Sequence, residues 1–117
     1  MRVVTLLALL YSGVLAAQPS EILNVDVHRT ADQYRFDVRL AHPDTGWDHY
    51  ANLWQVQDEA GNVLAERVLA HPHVNEQPFT RSVRAQLPTG LTRVYIVAGC
   101  TQDGLHPART AVDLPRQ

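Results

Sequence analysis

The sequence predicts an all-β domain, an immunoglobulin-like or fibronectin-III-like sandwich of about seven strands. Three observations carry this. Tyr34, Phe36, Val38 and Leu40 alternate with Arg35, Asp37, Arg39 and Ala41, the period-two pattern of a half-buried strand. Turn-forming clusters at Asp58–Asn62, Pro88–Gly90 and Gln102–Gly104 cut the chain into short segments, with turns every 8–12 residues or about that spacing. No stretch carries a helical period. The same strands can also close as a small jelly-roll or up-and-down barrel, which is the alternative architecture.

Taken in order, Leu23, Val25 and Val27 mark the first strand and Tyr34–Leu40 the second. Trp54 and Val56 lie in a third over Ala51–Asp58. Val63–Leu69 returns from the Asp58–Asn62 turn, so residues 51–69 read as a hairpin. Phe79, Val83, Ala85 and Leu87 form another alternating set, which Pro88-Thr89-Gly90 ends. Val94, Ile96 and Ala98 follow, and Arg109–Leu114 closes the chain. Trp54 is expected between the sheets.

Ahead of these strands, Met1-Arg2 is followed by an apolar run, Val3–Leu15, broken only by Thr5, Ser12 and Gly13. The run ends in Val14-Leu15-Ala16-Ala17-Gln18, where small residues permit cleavage. Residues 1–17 therefore read as a secretory signal peptide, and 18–117 as one β-sandwich domain. The run is short of the 20 or about 20 residues a membrane span needs, so no span is expected after cleavage. No cysteine stands at its end, which leaves a lipid anchor unsupported. The expected location is the periplasm or the exterior.

The whole chain has 117 residues, enough for one core and too few for two. Its ten basic residues, all arginine, are outnumbered by twelve acidic ones for a formal charge of -2, which argues against a nucleic-acid partner. The lack of lysine excludes Schiff-base and P-loop chemistry. A single cysteine, Cys100, means that an exported fold must stand without an internal disulfide.

Two segments are more specific. Gly46-Trp47-Asp48-His49-Tyr50-Ala51 and the stretch His71-Pro72-His73-Val74-Asn75-Glu76-Gln77-Pro78-Phe79-Thr80-Arg81-Ser82 resemble a family of small, secreted, largely uncharacterised bacterial proteins, over about residues 38–100. The resemblance implies a β-sandwich and export, and no established activity.

Alternating strand direction places the loops 42–50, 71–78 and 100–106 at one pole. Five of the six histidines, His42, His49, His71, His73 and His106, then converge there, and His28 does not. His71-Pro72-His73 is the sharpest feature. On an extended backbone residues i and i+2 face one side, about 6.6 Å apart at Cα, and proline narrows the backbone freedom between them. His71 and His73, with His49 as third ligand and His42 and His106 in reserve, are the candidate ligands for copper or zinc. A structural reading stands beside this, in which a buried Glu76–Arg81 ion pair pins the loop and Asn75 and Gln77 cap backbone groups.

Trp47, Tyr50 and Glu76 are the candidate contacts with another periplasmic or envelope protein. Cys100 shares a face with Val94, Ile96 and Ala98, which suits a small buried residue, with a metal thiolate or an intermolecular disulfide as alternatives. Ser20, Ser82 and Cys100 lack a recognisable nucleophile setting. The expectation is an exported, non-enzymatic accessory or binding module acting through the loops of one pole. The alternative is a periplasmic metal-binding protein that uses the histidine cluster.

Overall fold

The computed structural model describes residues 19–116, so the signal-peptide expectation for residues 1–17 lies outside them. Two antiparallel sheets pack face to face as an immunoglobulin-like sandwich. One holds β1 (Glu21–Thr30), β2 (Gln33–Ala41) and β5 (Phe79–Gln86) in the order β1-β2-β5. The other holds β3 (Ala51–Gln57), β4 (Val63–Val68), β6 (Arg93–Cys100), β7 (Gly104–Leu105) and β8 (Thr110–Asp113), in the order β4-β3-β6-β7 with β8 also on β6.

The alternating apolar residues of β2 all point inward: Phe36, Val38 and Leu40 are fully buried and Tyr34 nearly so. Trp54, Val56, Val94, Ile96 and Ala98 face them from the other sheet, with Phe79, Leu69 and Leu87 in the same cluster. Residues 51–69 form the expected hairpin, with Val56 opposite Ala65 and Leu53 opposite Val68. One inward assignment needs correction. The register of β1 shifts between Ile22 and Asn24, so the bulge swings Leu23 outward to 46% exposure while Ile22 packs on the core. The short strand β7 is a further departure from the sequence-based list. It lies close against β6, where a Cβ on Gly99 would come within 3.2 Å of the Gly104 carbonyl oxygen. Gly104 itself holds a positive φ of 66° at the end of the turn that follows Cys100.

Antiparallel pairing gathers four strand ends at one pole. Leu40 near the end of β2 pairs with Phe79 at the start of β5, and Ala51 at the start of β3 pairs with Cys100 at the end of β6. Ser20 ties the two sheets together there by donating its hydroxyl to the Gly99 carbonyl at 3.1 Å.

A buried histidine, histidine and cysteine cluster at one pole

The cluster begins where β2 ends. His42-Pro43-Asp44 makes a tight reversal in which the Asp44 amide donates to the His42 carbonyl at 2.7 Å, the i to i+2 bond of a γ-turn. Proline at the centre suits this turn because its ring fixes φ near the required value. The reversal folds the Asp44 side chain back onto its own neighbour, with His42 Nδ1 lying 2.6 Å from Asp44 Oδ1. Both side chains are fully buried.

The chain then turns again at Gly46–His49. The Thr45 amide donates to the His49 carbonyl at 3.0 Å and the His49 amide to the Gly46 carbonyl at 3.2 Å. This brings the His49 ring edge-on against His42, with centroids 4.7 Å apart. Cys100 arrives from the end of β6, opposite Ala51. Its Sγ lies 3.6 Å from His49 Nε2, accepts the Asp103 amide at 3.3 Å and donates its proton to Asp103 Oδ2 at 3.4 Å. One ligand atom from each of His42, His49 and Cys100 lies within 4.8 Å of the others. His42 and Cys100 are buried and His49 is half-buried, so the group has one face toward solvent.

Burial, the largest influence, pushes the Cys100 thiol above its ordinary range against the pull of nearby backbone amides. With Nδ1 engaged by Asp44, His42 Nε2 is buried and has no partner among the described residues. Leaving a buried polar atom unpaired costs on the order of 1–3 kcal/mol, so this position is unfavourable unless something occupies it.

His71 and His73 reach the same pole on a different footing. Their rings approach to 4.5 Å between centroids, but residues 71–73 are not in a strand. The two neighbouring rings differ in burial, His71 at the surface and His73 in the interior. His73 stacks on Phe79 at 3.9 Å between centroids, and its Nε2 accepts from the Arg81 guanidinium at 2.9 Å. Its Nδ1 stands 4.0 Å from Asp44 Oδ2. A cation bonded to one ring nitrogen opposes metal binding there. His106 also converges, but its Nδ1 accepts the Ala108 amide at 2.9 Å. His28 lies away from the pole, 3.2 Å from Asp37 on the outer face of the three-stranded sheet.

Among the expected contact residues, Trp47 is 69% exposed and packs edge-on against Tyr50 at 5.7 Å between centroids. Glu76 meets Arg81 at 3.5 Å, in an ion pair that is exposed where a buried one was expected. Gln77 does cap backbone groups: it accepts the His42 amide and donates to the His73 carbonyl. Sequence reasoning held Cys100 outside its ligand set, with a metal thiolate only as an alternative, and gave Asp44 no role. The signal for Cys100 was its place as the last inward residue of the 94, 96, 98 series, which ends at the pole.

The environment of His73 has a measurable consequence. Burial first, then the charge of Arg81, lowers its pKa in the folded protein. Its contribution to stability is present in full above the unfolded value of about 6.5 and is lost as pH falls below it toward the lower folded-state value. Urea midpoints between pH 7.5 and 5.5 will therefore fall more in the wild type than in His73→Gln. Equal slopes would mean that His73 protonates freely in the fold.

Comparison with known proteins places the fold and gives one relative. No protein-family model matches the chain. A "Putative lipoprotein" of Halomicrobium mukohataei is 46% identical over 61 residues, which make up 52% of this chain and 30% of that protein. The chain thus spans about a third of its relative's length. A crystal structure of a superoxide reductase in the oxidized state shares the fold, with a TM-score of 0.53 and 14% identity over 86% of this chain and 91% of that one.

Proposed function

We propose that the protein is an exported metal-binding protein that holds a copper or zinc ion between His42, His49 and Cys100. One observation carries the reading: a fully buried imidazole nitrogen, His42 Nε2, has no partner among the described residues, in a group where one ligand atom from each of His42, His49 and Cys100 lies within 4.8 Å of the others. Two imidazoles and a thiolate suit Cu or Zn, and copper has the greater intrinsic affinity for such a set. Export draws support from the relative's name and the apolar leader of the sequence. The role is binding rather than catalysis. The fold neighbour's name makes superoxide the first redox substrate to assay on the metal-loaded protein.

The test is titration of the protein with Cu(II) and Zn(II) at neutral pH, repeated with His42→Ala, His49→Ala, His71→Ala and His28→Ala. One ion per chain is expected. Loss of a direct ligand should cost affinity at least as much as loss of a residue that orients one, a factor of about 100. His71→Ala and His28→Ala should bind as the wild type does. Strong loss in His71→Ala with none in His42→Ala would move the site to the His71–His73 pair. Failure of the wild type to bind either ion tightly would leave the accessory-module reading. The observation that favours that second reading is the exposed Trp47 beside Tyr50, with the exposed Glu76 as a third contact for an envelope protein.

A further inference from the structure

We infer that Asp44 is the positioning residue of this site. Its carboxylate fixes the proton of His42 on Nδ1, so that Nε2 presents a lone pair to an incoming ion. The inference rests on the metal-binding reading for its purpose, and on hydrogen-bond geometry alone for its substance.

The carboxylate has no freedom to do otherwise. Oδ1 accepts the Ala51 amide at 2.9 Å in addition to its contact with His42, and Oδ2 accepts the His73 amide at 2.7 Å. Those donors belong to three segments: the end of β2, the start of β3 and the loop ahead of β5. Rotation of Asp44 would break all of them. Both carboxylate oxygens already accept backbone amides, so in the 2.6 Å contact the carboxylate is the acceptor and His42 Nδ1 the donor. Nε2 is then the nitrogen that faces away from Asp44, and it is the atom left without a partner among the described residues. Outer carboxylates that bind the second nitrogen of a ligating histidine fix its tautomer and raise its basicity in this way.

The arrangement also explains why a loop far away in sequence belongs to the site. Gln77 Oε1 accepts the His42 amide at 3.0 Å, Gln77 Nε2 donates to the His73 carbonyl at 2.9 Å, and Asp44 holds the His73 amide. The segment 73–77 is thus a brace on the His42–Asp44 pair. Its histidine at position 73 serves the site through its backbone.

The experiment has two arms. In the first, the ring nitrogens of His42 are observed by 15N NMR in the metal-free wild-type protein. Protonated Nδ1 with bare Nε2 is expected; a proton on Nε2 overturns the inference, whether or not the protein binds metal. In the second, Co(II) is the probe, because its thiolate charge-transfer band and ligand-field bands report the donor set. Asp44→Asn, checked for the native fold by circular dichroism, should bind Co(II) about 10–100-fold more weakly and with shifted bands. A variant with only structural damage, such as Val56→Ala in the core between the sheets, should lose stability with the bands in place. A folded Asp44→Asn protein with wild-type affinity and bands overturns the inference. Should Asp44→Asn not fold, the wild-type tautomer decides. A wild type that shows the expected tautomer and takes up no ion refutes the metal-binding reading and leaves the assignment of Asp44 intact.

Discussion

Truncation of Phe36 to alanine is expected to lower the unfolding free energy by about 3–5 kcal/mol. Phe36 sits in the middle of the central strand of the three-stranded sheet, opposite Val27 on β1 and Val83 on β5. It is fully buried, and its ring lies over Tyr34 at 6.5 Å between centroids. Flanking strands on both sides hinder collapse into the space, so the loss combines transfer free energy with an unfilled cavity. A domain of this size has roughly 5–15 kcal/mol in total, which puts the variant near the edge of folding. Val63→Ala, on the edge strand β4 at 52% exposure, is the control and should stay within about 0.5 kcal/mol of the wild type. Urea denaturation of the three proteins measures both effects. With one cysteine in the chain, a reducing agent should shift none of the midpoints. A Phe36→Ala loss as small as that of Val63→Ala would mean that β2 does not face the core as described.

The fold was legible because its signals are local. Period-two alternation in β2 and β5 needs no partner to be read, and the punctuating glycines and prolines mark where strands must stop. Leu23 was misplaced because a bulge obeys the pairing of two strands, and pairing is invisible in one segment. The candidate site was legible only as a place. Strand direction is enough to bring the loops after β2 and β6 together with the loop before β5. Which side chains turn inward depends on contacts that the sequence does not display. His71-Pro72-His73 invites an extended reading, yet stacking on Phe79 and the bond from Arg81 draw His73 inside and leave His71 out. His42-Pro43-Asp44 holds the more consequential pair, and its γ-turn is what sets aspartate against histidine. Cys100 follows the inward rhythm of β6, so the alternation that makes it resemble a core residue also delivers its sulfur to the pole.

Cys100→Ser separates those two roles of the sulfur. Serine has nearly the same shape and can keep the partners that Sγ now has, the Asp103 amide and carboxylate. The metal-free variant should accordingly remain within about 1 kcal/mol of the wild type. Metal binding should respond very differently. A thiolate is the soft donor of the set, and the hydroxyl that replaces it stays protonated and binds copper or zinc poorly. Affinity for either ion should fall by at least about 100-fold, and the Co(II) charge-transfer band should vanish rather than shift. His106→Ala, which removes a ring already bonded to the Ala108 amide, should leave binding unchanged. The proton balance gives a second readout. Burial keeps Cys100 protonated at neutral pH in the metal-free state, so uptake of an ion by the wild type should release that proton to solvent, and affinity should weaken as pH falls. Cys100→Ser should abolish this release. Wild-type affinity in the serine variant, with proton release unaltered, would reduce Cys100 to a packing residue and take the thiolate out of the proposed site.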